Sequence, residues 1–226
     1  MASVLAVVAH PDDEVLGCGG ALALHADRGD RVEILILGEG MRSRDEYAES
    51  DVEELHDAAR EAARILGAQV SFGGLPDNRF DSVALLDVVK IVERVCGDVS
   101  PDIVYTHHGG DLNVDHGVTE RAVLTALRPL PGEPSRTILA FETLSSSEWA
   151  FSSSLPQFRP QWFVEIGAAL PRKIAALEAY ASEIRPAPHP RSSGGIEVAA
   201  RRWGMTAGVG HAEAFEVLRV GPALPF

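Results

Sequence analysis

Five consecutive residues, His10-Pro11-Asp12-Asp13-Glu14, end the apolar run 4–9. A second polar cluster, running from His107 and His108 through Asp111, Asn113 and Asp115 to His116, follows an apolar stretch that begins at Ile103. Imidazole and carboxylate side chains hold zinc and its neighbours. A strand followed by a helix capped by Asp12 or Asp13 would explain one acid. It does not explain a run of acids beside a histidine, and polar groups on loops at strand ends are disproportionately functional. His10, Asp13 and His116 are the expected ligands, leaving a fourth position open for water or substrate. His107 or His108 could replace His116, with the other supporting a ligand. Zinc suits this mixed set, and iron, manganese and cobalt are compatible with it. A water acidified by such an ion becomes a nucleophile. Asp12, beside a ligand without needing to be one, is the expected general base, while Glu14 is expected to cap or orient. His107 and Asp115 complete the catalytic candidates at this stage. The reaction class is metal-assisted hydrolysis, of an amide for preference.

The surrounding elements have to bring the two clusters together. Strands are expected at 3–9, 31–37, 69–72, 102–106, 137–141, 161–166 and 214–220. Helices are expected at 21–28 after a glycine turn at 17–20, and at 50–66, 81–95, 118–127, 170–181 and 196–203. This alternation predicts an α/β fold, a Rossmann-like three-layer sandwich with a mainly parallel sheet. No composition break divides residues 1–226, so a single domain is expected. In doubly wound sheets the first and fourth strands are neighbours at the switch point, where ligands bind beyond the carboxyl ends. Here those two strands are the ones followed by the polar clusters.

The chain of 226 residues is 46% hydrophobic and 23% charged, the composition of a folded globular protein. Its net charge of −13 argues against nucleic acid as a partner. No stretch reaches the roughly 20 apolar residues of a membrane helix, and the two cysteines, Cys18 and Cys96, have no paired spacing. A cytoplasmic location is expected. Leu16-Gly17-Cys18-Gly19-Gly20 has the look of a methyltransferase cofactor loop, but His10 to Glu14 displace it from the strand it would have to follow.

The His-Pro-Asp-Asp-Glu stretch, with Asn113-Val114-Asp115-His116 downstream, resembles the LmbE/PIG-L family of zinc-dependent sugar N-deacetylases. The resemblance extends to Gly17–Gly20, Leu75-Pro76-Asp77 and Ala212-Glu213-Ala214-Phe215. It implies a Rossmann-like fold and hydrolysis of an N-acetylated amino sugar, with acetate released. It carries the zinc ligands onto His10, Asp13 and His116 and the base onto Asp12. One position departs from the pattern. Asn113 stands where many members have a histidine that holds the oxyanion or protonates the amine, and an amide can donate a hydrogen bond but cannot deliver a proton at neutral pH. Protonation would then fall to Asp12, His107 or His108. Asp77 matches an acidic family position and is the expected sugar contact, with His108 beside it. Arg42 and Arg44 could hold a phosphate. Trp149, Phe151, Phe158, His189 and Arg191 are secondary candidates for the substrate wall. The aromatic loop 145–160 also suits a homo-oligomer contact. Two rivals keep the metal: an amidase acting on another amide, such as a thiol conjugate of an amino sugar, and a binding module without catalysis.

Overall fold

The computed structural model describes residues 1–41, 48–133, 136–151 and 154–221. Arg42 and Arg44 lie outside the described residues. Seven strands form one sheet: Ser3–Val8 (β1), Arg31–Gly38 (β2), Gln69–Leu75 (β3), Ile103–His107 (β4), Thr137–Phe141 (β5), Trp162–Glu165 (β6) and Ala212–Arg219 (β7). Their order is β3-β2-β1-β4-β5-β7-β6. The first five are parallel, and β7 runs antiparallel to both β5 and β6. β1 and β4 pair directly, Leu5 opposite Val104, so the switch-point expectation holds.

Alternation along β1 explains the layering. Val4, Ala6 and Val8 face a core shared with Asp13–Asp27 (α1), Glu49–Leu66 (α2), Leu170–Ala179 (α5) and Ser193–Ala207 (α6). Leu5, Val7 and Ala9 face the opposite core, under Leu85–Val99 (α3) and Val114–Ala126 (α4). Both faces of the central strands are dry, as continuous apolar runs require.

Several helices begin elsewhere than the sequence suggests, α6 at Ser193 among them. α1 starts at Asp13, and the glycines expected to form a turn lie inside it. They are there for close approach: a Cβ on Gly17 would enter the Phe141 ring, and one on Gly20 would lie 2.8 Å from Ile166 Cγ2. α4 starts at Val114 because the Asn113 side chain caps it, accepting the Asp115 N–H at 2.9 Å. α3 starts at Leu85 because Phe80–Ser82 forms a separate 3-10 turn with Phe80 fully buried. At α2, Ala48 is the cap residue, and its N–H donates to Asp51 at 2.8 Å.

Candidate metal centre and its cavity

β1 and β4 end side by side, which brings the loop after β1 and the N-terminus of α4 into contact. Asp13 Oδ2 is the hub. It accepts the His10 N–H at 2.8 Å and lies 3.3 Å from His10 Nδ1 and 3.4 Å from His116 Nε2. His116 Nε2 is buried and makes no hydrogen bond, a costly state for a ring nitrogen unless something else binds it. Two imidazoles and one carboxylate converging on one point fit a catalytic zinc ion. A second acidic grouping shares His10, whose Nε2 lies 3.0 Å from Asp115 Oδ2 and 3.4 Å from Asp77 Oδ1. Only the first grouping has two imidazoles, and it leaves the Nε2 of His10 to the carboxylates, the usual support for a ligand.

The same support exists for His116. Its Nδ1 lies 3.0 Å from Asp111 Oδ1, although the angle falls short of a hydrogen bond. Asp111 is itself fixed by the hydroxyls of Ser146 and Ser147. Burial pulls both histidines toward the neutral form, but the surrounding carboxylates outweigh it. The hydrogen bonds to Asp115 and Asp13 push His10 up to about 10. The charge of Asp13 and the contact with Asp111 push His116 up to about 9. Protons on these rings must leave before the nitrogens can coordinate, so metal uptake releases protons. Asp111 was not singled out from sequence, and its place five residues before His116 on the same loop was the available signal. Asp111→Asn should weaken zinc binding about 10–100-fold, read by competition against a chelating dye. An unchanged affinity would remove Asp111 as the support of His116.

Asp12 occupies the N-cap position of α1 in a left-handed conformation, φ 101°, uncommon for a residue with a side chain. Its N–H donates to Glu14 Oε2 at 3.2 Å, and Glu14 Oε1 accepts the Tyr180 hydroxyl at 2.6 Å. Its Oδ2 meets Arg191 Nη1 at 3.1 Å. Burial drives the Asp12 carboxyl well above its ordinary range, with Arg191 opposing. A cavity of about 220 Å³ opens beside these groups, lined among others by His10, Asp12, Asp77, Asn78, Asn113 and Arg191. Larger cavities lie elsewhere on the surface, but none of them is lined by any of the three ligands.

The remaining expected residues each have partners of their own. His107 is fully buried and stacks on His116 at 4.0 Å. Its Nε2 accepts the Ala9 N–H at 3.0 Å, so Nδ1 carries the proton and faces Thr143 Oγ1. Burial and the neighbouring His116 push it down to about 4. A second proton on this ring is therefore disfavoured. His108, expected at the substrate, instead joins Glu216 Oε2 at 2.7 Å to the Pro156 carbonyl at 3.0 Å. Asp115 is fully buried between His10 and the Phe80 N–H, a place from which it orients a ligand. Asn113 also has structural work, since its Nδ2 donates to Asn78 Oδ1 at 2.9 Å while its Oδ1 caps α4. Trp149 packs edge-on to His189, and Phe158 against His108 and Trp203.

A Rossmann-like sheet with a His/Asp/His cluster beyond its first and fourth strands defines an α/β protein with a candidate catalytic metal centre. The family described as PIG-L, GlcNAc-PI de-N-acetylase, matches residues 5–127, and the chain belongs to it. The chain is 32% identical over 187 residues to the uncharacterized deacetylase YaiS of Escherichia coli, covering 79% of this chain and 90% of that one. It is 29% identical over 201 residues to 4-oxalmesaconate hydratase of Pseudomonas putida, covering 80% and 74%. The crystal structure of the conserved protein TT1542 from Thermus thermophilus aligns over 100% of both chains with a TM-score of 0.75 and 26% identity. Among the described residues, no helix is long and apolar enough to cross a membrane.

Proposed function

We propose that the protein is a zinc-dependent N-deacetylase that removes the acetyl group of an N-acetylated amino sugar or its conjugate and releases acetate. The observation that carries this is the buried His116 Nε2, which makes no hydrogen bond and faces Asp13 and His10, with Asp12 beside those two residues at the cavity. The description of the matching family and the deacetylase relative support the amide and the sugar. His10 Nδ1, His116 Nε2 and the Asp13 carboxylate would hold the ion. When bound, it would acidify a water and polarise the acetamide carbonyl. Asp12 accepts the proton of that water as its oxygen bonds to the carbonyl carbon. The same carboxyl then returns the proton to the amine nitrogen as the carbon–nitrogen bond breaks, a task that falls to it because Asn113 cannot deliver one and His107, fully buried, is engaged by the Ala9 N–H and Thr143. Asp77 and Asn78 line the cavity, and in this reading they contact sugar hydroxyls. We place the enzyme in the cytoplasm, in keeping with its free, buried cysteines.

The hydratase relative motivates one alternative, in which the same base adds water to a carbon–carbon double bond. Metal content and acetate release decide between them. The substrates are N-acetylglucosamine free, nucleotide-linked and inositol-linked, each tested before and after chelation. Acetate release that disappears on chelation and returns with zinc is the expected result. A zinc-loaded protein that releases no acetate from any of them, and hydrates an unsaturated dicarboxylate, would overturn the proposal.

A further inference from the structure

The deacetylase reading assigns the proton transfers to Asp12 and leaves open what holds that side chain on target. Backbone contacts cannot do so. The Asp12 N–H is engaged by Glu14, and the carboxylate makes no capping bond to α1. What meets the carboxylate is Arg191, from the segment between α5 and α6, far outside the matched residues 5–127. The guanidinium bridges two loops. Nη1 donates to Asp12 Oδ2 at 3.1 Å, and Nε donates to Ser145 Oγ, in the loop after β5, at 2.7 Å. Glu183 Oε2 lies 3.9 Å from the same Nη1.

Arg191 is itself fixed before it reaches Asp12. Its N–H donates to His189 Nδ1 at 3.1 Å, its carbonyl accepts the Arg185 N–H, and the next residue, Ser192, caps α6 by accepting the Gly195 N–H at 3.0 Å. His189 in turn packs against Trp149. A guanidinium with its donors fixed in a fork can hold Ser145 with Nε and the Asp12 carboxylate with Nη1 at once, and so restrain where that carboxylate sits more tightly than a lysine ammonium on a flexible stem.

We propose that Arg191 is the positioning residue for the base: bridged between Ser145 and Asp12, it holds the Asp12 carboxylate toward the metal cavity, so that the C-terminal third of the chain completes a site whose ligands all lie before residue 117. Arg191 acts through Asp12 and is not assigned a contact with substrate.

Arg191→Met and Arg191→Gly are the test variants, compared with Arg191→Lys. Arg191→Met should lower kcat about 100-fold, the scale of a small misplacement of a catalytic group, with KM and zinc stoichiometry kept. Lysine should recover only part of the loss. Low concentrations of guanidinium ion should raise kcat of Arg191→Gly while leaving the wild type and Asp12→Asn unmoved, a response a purely structural lesion would not give. A kcat equal to wild type, or a loss confined to KM, would overturn the assignment. A crystal structure of zinc-loaded Arg191→Met supplies a readout independent of turnover. An Asp12 carboxylate oriented as in the wild type would overturn the inference even if the wild type released no acetate, whereas wild-type inactivity alone would count against the deacetylase reading and not against this one.

Discussion

Asp12→Asn should lower kcat by about 10²–10⁴-fold, the usual worth of a general acid–base group, and zinc content and melting temperature should stay near wild type. The choice of asparagine matters. Asp12 has φ 101°, and asparagine is among the few residues with a side chain that visit the left-handed region without large cost. Alanine there would add backbone strain and blur the comparison. The amide keeps the volume and can still contact Arg191, but it cannot accept a proton at neutral pH. Asp12 is 1% exposed and its carboxyl is raised by burial, so the substitution also removes a desolvated acid, which is why no large stability loss is expected. Single-turnover acetate release with zinc quantified on the same sample checks it. Wild-type turnover in the asparagine variant would remove Asp12 as base. Loss of zinc would mean that Asp12 coordinates.

The sheet and the two clusters were legible because their signals are local. A dry run such as residues 4–9 is both a strand and a central strand, and a polar cluster at its end is visible without any partner. The pairing of β1 with β4 followed from a general rule of doubly wound sheets. Helix starts were less legible. Gly17 and Gly20 read as a turn because glycine is a poor helix former, and only contacts with Phe141 and Ile166, more than a hundred residues away, show why they sit inside α1. The roles within the second cluster followed the same pattern. Residue type made His107, His108, Asp115 and Asn113 all candidates, whereas their partners come from the tertiary fold: Ala9 for His107, Glu216 for His108, His10 for Asp115, and for Asn113 the α4 N-terminus it caps. Arg191 and Glu14 depend on tertiary contacts for their meaning, so a sequence can offer them only as charged residues in loops or helices.

Glu213→Ala should be the most destabilising substitution outside the site, at about 3–5 kcal/mol, the cost of breaking a buried ion pair. Glu213 and Lys173 are each 4% exposed and meet at 2.6 Å. The pair reaches into the backbone of α1. Glu213 accepts the Gly20 and Ala21 N–H groups, each at 2.7 Å, and Lys173 Nζ donates to the Leu16 carbonyl at 2.9 Å. In an uninterrupted helix that carbonyl and the Gly20 N–H would serve each other. Removing the carboxylate alone therefore leaves a buried ammonium and exposes helix donors to an apolar surround. Removing both charges, as Glu213→Leu with Lys173→Met, should restore much of the lost stability, because the desolvation cost of the pair goes with it. Urea unfolding of the wild type, the two single variants and the double variant measures the coupling. A Glu213→Ala variant as stable as wild type would show that the ion pair does not hold α1. Because α1 carries Asp13 in its first turn and Asp12 at its cap, the single variants should also bind zinc more weakly, while the double variant regains affinity in step with its stability.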